Sequence, residues 1–371
     1  FILCLMRKLL IAIIIILLVV IFLIIISINN TKQPAQPADL ENHTYIPSLN
    51  SASKGDRILA IDINSQGENY GTDFALAKNS GMQATQLTLF WNMIETSKLK
   101  YDNNWLKTAD SFYPSQKTKI ALVIGVIDTN NDVRPSDLKA TAFDSPENIE
   151  RFEKLIDYIF SETPNLKIVS FSVGNEIDIY LGNDKEKWQE YTNFYSNVSD
   201  YIRSKKNIQI GSKATFNGLI NKNVEQLKTL NEKSDIILVT YYPINSDFTV
   251  KNPEIVGSDF DALTSIYSKP IQILEAGYPS SSVLESSEKK QAEFIKQVFI
   301  SWDKHSSQIK LINFVWLNDI SDSKLNDFTR YYGISSNNFK EYLKTLGLRT
   351  SDGKDKLSFT ALKQEAKARG G

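Results

Sequence analysis

From Arg57 onward, eight β-rich runs alternate with stretches whose apolar residues recur at helical spacing, and no other feature of the chain constrains its fold as strongly. The strands are expected over Ile58 to Ile63, Ala84 to Trp91, Lys119 to Ile127, Ile168 to Val173, Ile208 to Lys213, Ile236 to Tyr242, Ile271 to Glu275 and Ile312 to Trp316. Between them, sets such as Ile149-Phe152-Leu155-Ile156-Ile159 and Phe294-Ile295-Val298-Phe299-Trp302 place their apolar side chains on one face of a helix. Eight strand-then-helix units predict a (β/α)8 TIM barrel, an α/β fold of about 250 residues plus insertions. The rival, an open doubly wound sheet, requires a nucleotide fingerprint after its first strand, and this chain has none there.

The N-terminus reads differently. Leu9 to Ile26 is apolar without interruption, and Ser27-Ile28 extend it to about 20 residues, enough at roughly 1.5 Å each to cross a hydrocarbon core of about 30 Å. No small-x-small cleavage site follows within Ile24 to Asn29, so an uncleaved transmembrane signal-anchor is expected. Arg7 and Lys8 precede the apolar run, which orients the anchor with everything after Asn29 outside the cell membrane. The stretch that follows is rich in Pro, Gln, Asn and Ser, without periodicity, and reads as a flexible tether. The expected division is residues 1–28 anchor, 29–54 linker and 55–371 barrel.

The residue inventory narrows the chemistry. The chain has two histidines and one cysteine. His43 lies in the tether, His305 at a helix end and Cys4 in the anchor, which excludes Cys/His zinc sites, disulfides and a Ser-His-Asp triad. No Gly-x-Ser-x-Gly, phosphate-binding Gly-rich loop or His-Glu-x-x-His occurs. Chemistry falls to carboxylates, tyrosines and tryptophans, with no metal or organic cofactor implied. Lys and Arg number 42 against 43 Asp and Glu, so no polybasic face points to nucleic acid, and a neutral glycan is a compatible partner.

Two carboxylates stand out by position. Glu176 follows the fourth strand in Val173-Gly174-Asn175-Glu176, and Glu275 ends the seventh. In a (β/α)8 barrel the strand C-termini form the active-site mouth, so closure brings both to one rim. Alone, an Asn-Glu after a strand reads as a helix cap and a strand-end Glu as an ion-pair partner. Together they supply what cleavage of a glycosidic bond needs, one carboxyl to attack or stabilise and one to donate a proton. Trp91 and Asp62, ending strands 2 and 1, are placed to line a sugar site, Trp91 equally to pack the rim and Asp62 to serve as a structural hydrogen-bond partner. Glu95, Trp105 and Trp188 read as surface or helix-packing residues. A membrane-tethered, non-catalytic glycan-binding barrel is the rival function, and the presence of both glutamates weighs against it.

On these residues the chain resembles the clan A glycoside hydrolases, retaining (β/α)8 enzymes with Asn-Glu after strand 4 and Glu at the end of strand 7. The resemblance spans Arg57 to about Ala366. It implies that Glu176 is the acid/base, Glu275 the nucleophile and Asn175 the residue that hydrogen-bonds the sugar 2-hydroxyl. It also implies that Tyr242, in Thr240-Tyr241-Tyr242-Pro243, contacts the nucleophile and that Trp316 floors the sugar site. Within the clan, Gly174-Asn175-Glu176, Tyr242-Pro243 and Glu275-Ala276-Gly277-Tyr278-Pro279 are most similar to endo-β-1,4-galactanases and β-1,3-glucanases. Many clan members carry an arginine at the end of strand 2, where this chain has Leu87-Thr88-Leu89-Phe90-Trp91. The implied reaction is double displacement on a β-linked oligo- or polysaccharide, with carboxyls about 5–5.5 Å apart.

Overall fold

The computed structural model describes Tyr45, Pro47, Ser48 and residues 51–65, 69–102 and 104–371. The expected membrane segment and most of the tether lie outside the described residues, and no helix among those described is long and apolar enough to cross a membrane. The compact unit runs from Tyr45 to Gly371. It begins ahead of the expected boundary at residue 55 because Tyr45 OH and Ser48 Oγ donate to Glu365 at 2.5 and 2.6 Å, binding the end of the tether to the last helix.

Eight parallel strands form the barrel: β1 Ile58–Ile61, β2 Ala84–Phe90, β3 Lys119–Asp128, β4 Ile168–Asn175, β5 in two pieces (Ile210–Gly211 and Lys213–Thr215), β6 Ile237–Tyr241, β7 Ile271–Ala276 and β8 Ile309–Phe314. β1 pairs with both β2 and β8, the first piece of β5 pairs with β4, and the second pairs with β6. The sheet therefore returns to the strand from which it starts. Closure crowds the backbones at the break in β5, where a Cβ on Gly211 would meet the Ile236 carbonyl oxygen at 2.7 Å.

Alternation along the strands divides the apolar side chains between two cores. Leu59 and Ile61 of β1, Ile120, Leu122 and Ile124 of β3, and Ile237 and Val239 of β6 join the layer shared with the helices. Ala60, Ala121, Val123, Leu238 and Leu274 fill the barrel interior. Burying a side chain of this size contributes about 1.5–3 kcal/mol, so a register slip that exchanged the two sets would be costly. Polar bonds also cross the interior, among them Ser170 Oγ of β4 donating to Gln272 Oε1 of β7 at 2.6 Å.

After β1 to β7 come, in order, helices α1 Asn69–Asn79, α2 Asn104–Ser115, α3 Pro146–Glu162, α4 Lys185–Lys205, α5 Val224–Asn231, α6 Ile255–Ile266 and α7 Glu288–Lys304. α3 starts where Ser145 accepts from Asn148 N with proline in the first turn, and it buries Phe152, Leu155, Ile156 and Ile159. β8 departs from the one-helix rule. Two further helices, α8 Asp322–Tyr332 and α9 Asn337–Lys344, precede the closing α10 Leu357–Ala368. Their apolar faces (Leu325, Phe339, Tyr342, Leu343) gather in a third cluster with Leu284 and Leu346, against which Tyr242 and Trp316 pack.

Candidate active site

Local backbone geometry aims both glutamates. At β7 the register with β6 slips between Val239 and Thr240, so that Val239 pairs with Ile273 while Thr240 pairs with Glu275. Leu274 is the extra residue of a bulge, a device that re-aims the side chain following it. At β4 the chain turns sharply: Gly174 has φ 83° and Glu176 itself sits at φ 45° before the short helix Ile177–Leu181 begins. A Cβ on Gly174 would meet Ile177 Cγ2 at 2.6 Å and Tyr191 OH at 2.7 Å, so only glycine fits there. A non-glycine residue in the left-handed region, as at Glu176, costs about 1–3 kcal/mol and persists where its surroundings fix it. Here Thr129 and Thr240 fix it, their hydroxyls donating to Glu176 Oε2 and Oε1 at 2.8 and 2.7 Å.

Thr240 thus binds one glutamate through its side chain and pairs with the other through its backbone. The two carboxylates flank it in one cleft of about 700 Å³, a volume within the range of small-ligand sites. Their surroundings differ. Glu275 Oε1 accepts from Lys213 Nζ at 2.6 Å and Oε2 from Tyr242 OH at 2.7 Å. Burial by itself would raise its pKa, but the Lys213 charge and the hydrogen bonds outweigh it and hold the carboxyl below its ordinary range. Glu176 has hydroxyl partners and, among the described residues, no cation in contact; burial first, then the Glu275 charge, pushes it up to about 7. Tyr242 is held protonated by burial and the same carboxylate.

Of the residues expected at a sugar site, Glu176, Glu275, Tyr242 and Trp316 line this cleft together. Trp316 lies just past β8, which ends at Phe314, and the Val315–Trp316 peptide is cis. Asn175 is buried beside Glu176; its Nδ2 donates to Asp128 Oδ1 at 2.6 Å, while its Oδ1 has no partner among the described residues. Asp62 does not line the cleft. It accepts from Gln86 N at 3.0 Å, and burial pushes its pKa up to about 7.

Trp91 requires correction. It is wholly buried, its ring meets Phe152 edge-on at 5.2 Å, and its Nε1 donates to Glu95 Oε2 at 2.7 Å, so it packs the helix layer rather than a sugar. Glu95 takes the helix-packing alternative: its side chain is enclosed and paired with Arg151 of α3 at 2.8 Å. Trp105 is exposed and Trp188 buried. His305 lies outside the cleft, its Nε2 2.7 Å from Asp261.

Sequence reasoning missed Lys213, Gln86, Thr129 and Thr240. A signal for the first was present, a lysine ending an apolar run inside a barrel, where an unpaired charge is untenable. It brings a cation from β5 to Glu275, and strand 2 contributes Gln86, which accepts from Lys213 Nζ at 3.0 Å. Among the described residues no group of three or more His, Cys, Asp and Glu is arranged to hold a metal ion.

No family model matches the sequence, and no curated protein does. Solved structures do match. A GH5_18 variant from Bifidobacterium longum subsp. longum, in complex with Manb1-4GlcNAc, aligns with TM-score 0.65 at 10% identity over 84% of this chain and 78% of that one. An exo-beta-1,4-mannosidase from an Opitutaceae bacterium aligns with TM-score 0.64 at 13% identity over 84% of this chain and 59% of that one. A family 39 glycoside hydrolase from Bacteroides cellulosilyticus aligns with TM-score 0.59 at 14% identity over 85% and 64% of the two chains. At such identities the likeness is one of architecture, and the chain has the barrel fold of these glycoside hydrolases.

Proposed function

We propose that the chain is a retaining β-glycoside hydrolase acting on a neutral β-linked oligo- or polysaccharide, with Glu275 as nucleophile and Glu176 as acid/base. The observation that carries this reading is the asymmetry of the pair: one carboxylate is held ionised by Lys213 and Tyr242, while its neighbour, raised to about 7, keeps a proton. Glu275 attacks the anomeric carbon as Glu176 gives its proton to the leaving oxygen, and a glycosyl ester forms as the C–O bond breaks. Esterification removes the Glu275 charge, one of the two causes that raise Glu176. Glu176 then takes a proton from water as that water attacks the same carbon, and Glu275 departs as carboxylate. The unpartnered Asn175 Oδ1 is a ready acceptor for a substrate hydroxyl beside the acid/base. The names of the matching structures, glycoside hydrolases and one glycan complex, support the same reading.

The test is a panel of aryl β-glycosides and β-linked oligosaccharides, with the anomer of the first product followed by NMR. Release with retained configuration is expected. Inversion, or no turnover across neutral sugars, overturns the assignment.

We infer further that residues 9–28 hold the barrel to the outer side of the cell membrane, from their apolar length and the Arg7-Lys8 flank. Fractionation of the full chain should place it in membranes resistant to alkaline extraction; a soluble species beginning after Asn29 would make the segment a signal peptide instead.

A further inference from the structure

The cleft is bounded very unevenly. Its lining comes from β3 to β8 and from α8 and α9, and among the described residues none before Thr129 contributes. The ends of β1 and β2 belong to the same barrel mouth, yet they are shut out. The cause is the α8–α9 insertion, a helical hairpin that leaves β8, has its two ends joined by Lys344 and Asp322 at 2.7 Å, and lies over the mouth as a strap held on two sides near its tip.

On the β3 side Tyr331 OH donates to Asp128 Oδ2 at 2.6 Å, Asn130 Nδ2 donates to the Tyr332 carbonyl at 3.1 Å, and Tyr331 stacks on Phe90 of β2 with planes 5° apart. On the β6 side Asn338 Nδ2 donates to the Asp247 carbonyl at 2.8 Å and Phe339 packs on Phe248 at 5.2 Å. Facing the cleft, Phe328 stacks on Trp316 at 5.7 Å and Tyr332 stands behind it at 6.2 Å. A second cavity of about 540 Å³ lies beyond, lined by Asn64, Asp73, Asn318 and Lys324 of α8, and it shares no lining residue with the cleft. The strap divides what would otherwise be one groove.

The direction of the chemistry decides what this division means. An acid donates to the leaving oxygen, so the leaving group lies on the Glu176 side, where the cleft continues past Ile179, Thr215, Phe216 and Asn217. The departing half of a long glycan has room there. The other half, bonded to Glu275 during the reaction, lies toward Trp316 and meets the strap.

Building on the glycosidase reading, we infer that the α8–α9 strap makes this an exo-acting enzyme that removes the terminal sugar from the non-reducing end of its glycan. Chain interiors are excluded because a second sugar, beyond the one bonded to Glu275, would need the space that Phe328 and Tyr332 fill.

The test uses a matched set built on a sugar the enzyme turns over: an aryl β-monoglycoside, the corresponding unmodified aryl oligosaccharide, and the same oligosaccharide with its non-reducing terminus blocked by a bulky acetal. Terminal cleavage predicts that monosaccharide is the first product from the unmodified oligosaccharide, and that the blocked one reacts at least about a hundredfold more slowly, the scale on which a filled pocket rejects a larger substrate. Shortening the wall in Phe328→Ala should raise cleavage of the blocked substrate relative to the unmodified one. Equal cleavage of blocked and unmodified chains, or free reducing oligosaccharides without the aryl group among the first products, overturns the strap's role while leaving glycosidase activity in place. Failure of even the aryl monoglycosides overturns the glycosidase reading and this inference with it.

Discussion

Lys213 Nζ lies 2.6 Å from Glu275 Oε1, with the lysine side chain wholly enclosed and the carboxylate 17% exposed. An enclosed ammonium requires a counter-charge, and an enclosed carboxylate requires the reverse, so each residue fixes the state of the other. Asp62, Asp128 and Glu176 also face this pair electrostatically, while Tyr242 and Gln86 meet it through hydrogen bonds. Lys213→Met should therefore raise the pKa of Glu275 and move the acid limb of kcat/KM to higher pH, with a stability loss of about 3–5 kcal/mol for the broken pair. The pH dependence of inactivation by a 2-deoxy-2-fluoroglycoside reads Glu275 directly. A residue that served only packing would lower the melting temperature and leave that limb unmoved.

In the proposed reaction Glu176 sets the other limb. With its carboxyl raised to about 7, kcat/KM should fall as pH rises through neutrality, and Glu176→Gln should remove that limb along with most turnover. Stability carries the opposite sign. An acid whose folded pKa exceeds its unfolded value opposes folding once ionised, so this cost is absent below the ordinary carboxylate range and complete above about pH 7. Glu176→Gln should consequently be more stable than the parent above neutrality, on the order of 3 kcal/mol at about 1.4 kcal/mol per pKa unit, and level with it near pH 4. Thermal unfolding of both proteins across that range measures it.

The strands were legible because parallel strands covered on both faces leave continuous apolar runs, as Ile120 to Ile127 shows. β5 was harder to read: its second piece carries Lys213 and Thr215, so the apolar signal fades where the structural strand continues. Ile309 to Leu311 of β8 escaped notice because Gln308 and Lys310 interrupt the pattern. The catalytic candidates were legible from strand position alone, whereas the direction of Trp91 was not, since the helical turn Trp91–Ile94 faces its ring outward. The strap helices were invisible for another reason. Their apolar residues form a small separate cluster over the mouth of the cleft, and the surrounding sequence is as polar as a surface loop.

Gly174 offers a test of the turn that presents Glu176. Gly174→Ala would place a methyl within 2.7 Å of Tyr191 OH and hold alanine at φ 83°. Both effects destabilise, by roughly 1–3 kcal/mol together, and the shift they force in Asn175 and Glu176 should lower kcat more than KM. Chemical denaturation and steady-state kinetics of the variant decide it; an unchanged midpoint and unchanged kcat would refute the fit described for this glycine.

The roles of the two glutamates separate when each is truncated. With Glu275 as the proposed nucleophile, Glu275→Ala should form no glycosyl enzyme on any substrate, and turnover should fall many thousandfold. Glu176→Ala keeps its nucleophile, so an aryl glycoside whose leaving group needs no proton should still glycosylate it, after which hydrolysis stalls for want of a base. Azide requires no base. Added to Glu176→Ala it should attack the glycosyl enzyme and release a β-glycosyl azide, the product of two inversions. Added to Glu275→Ala it should fill the vacated space and displace the leaving group directly, giving the α-azide by one inversion. NMR of the two azides from one substrate distinguishes the outcomes, and identical products from both variants would mean that nucleophile and acid/base have been assigned wrongly.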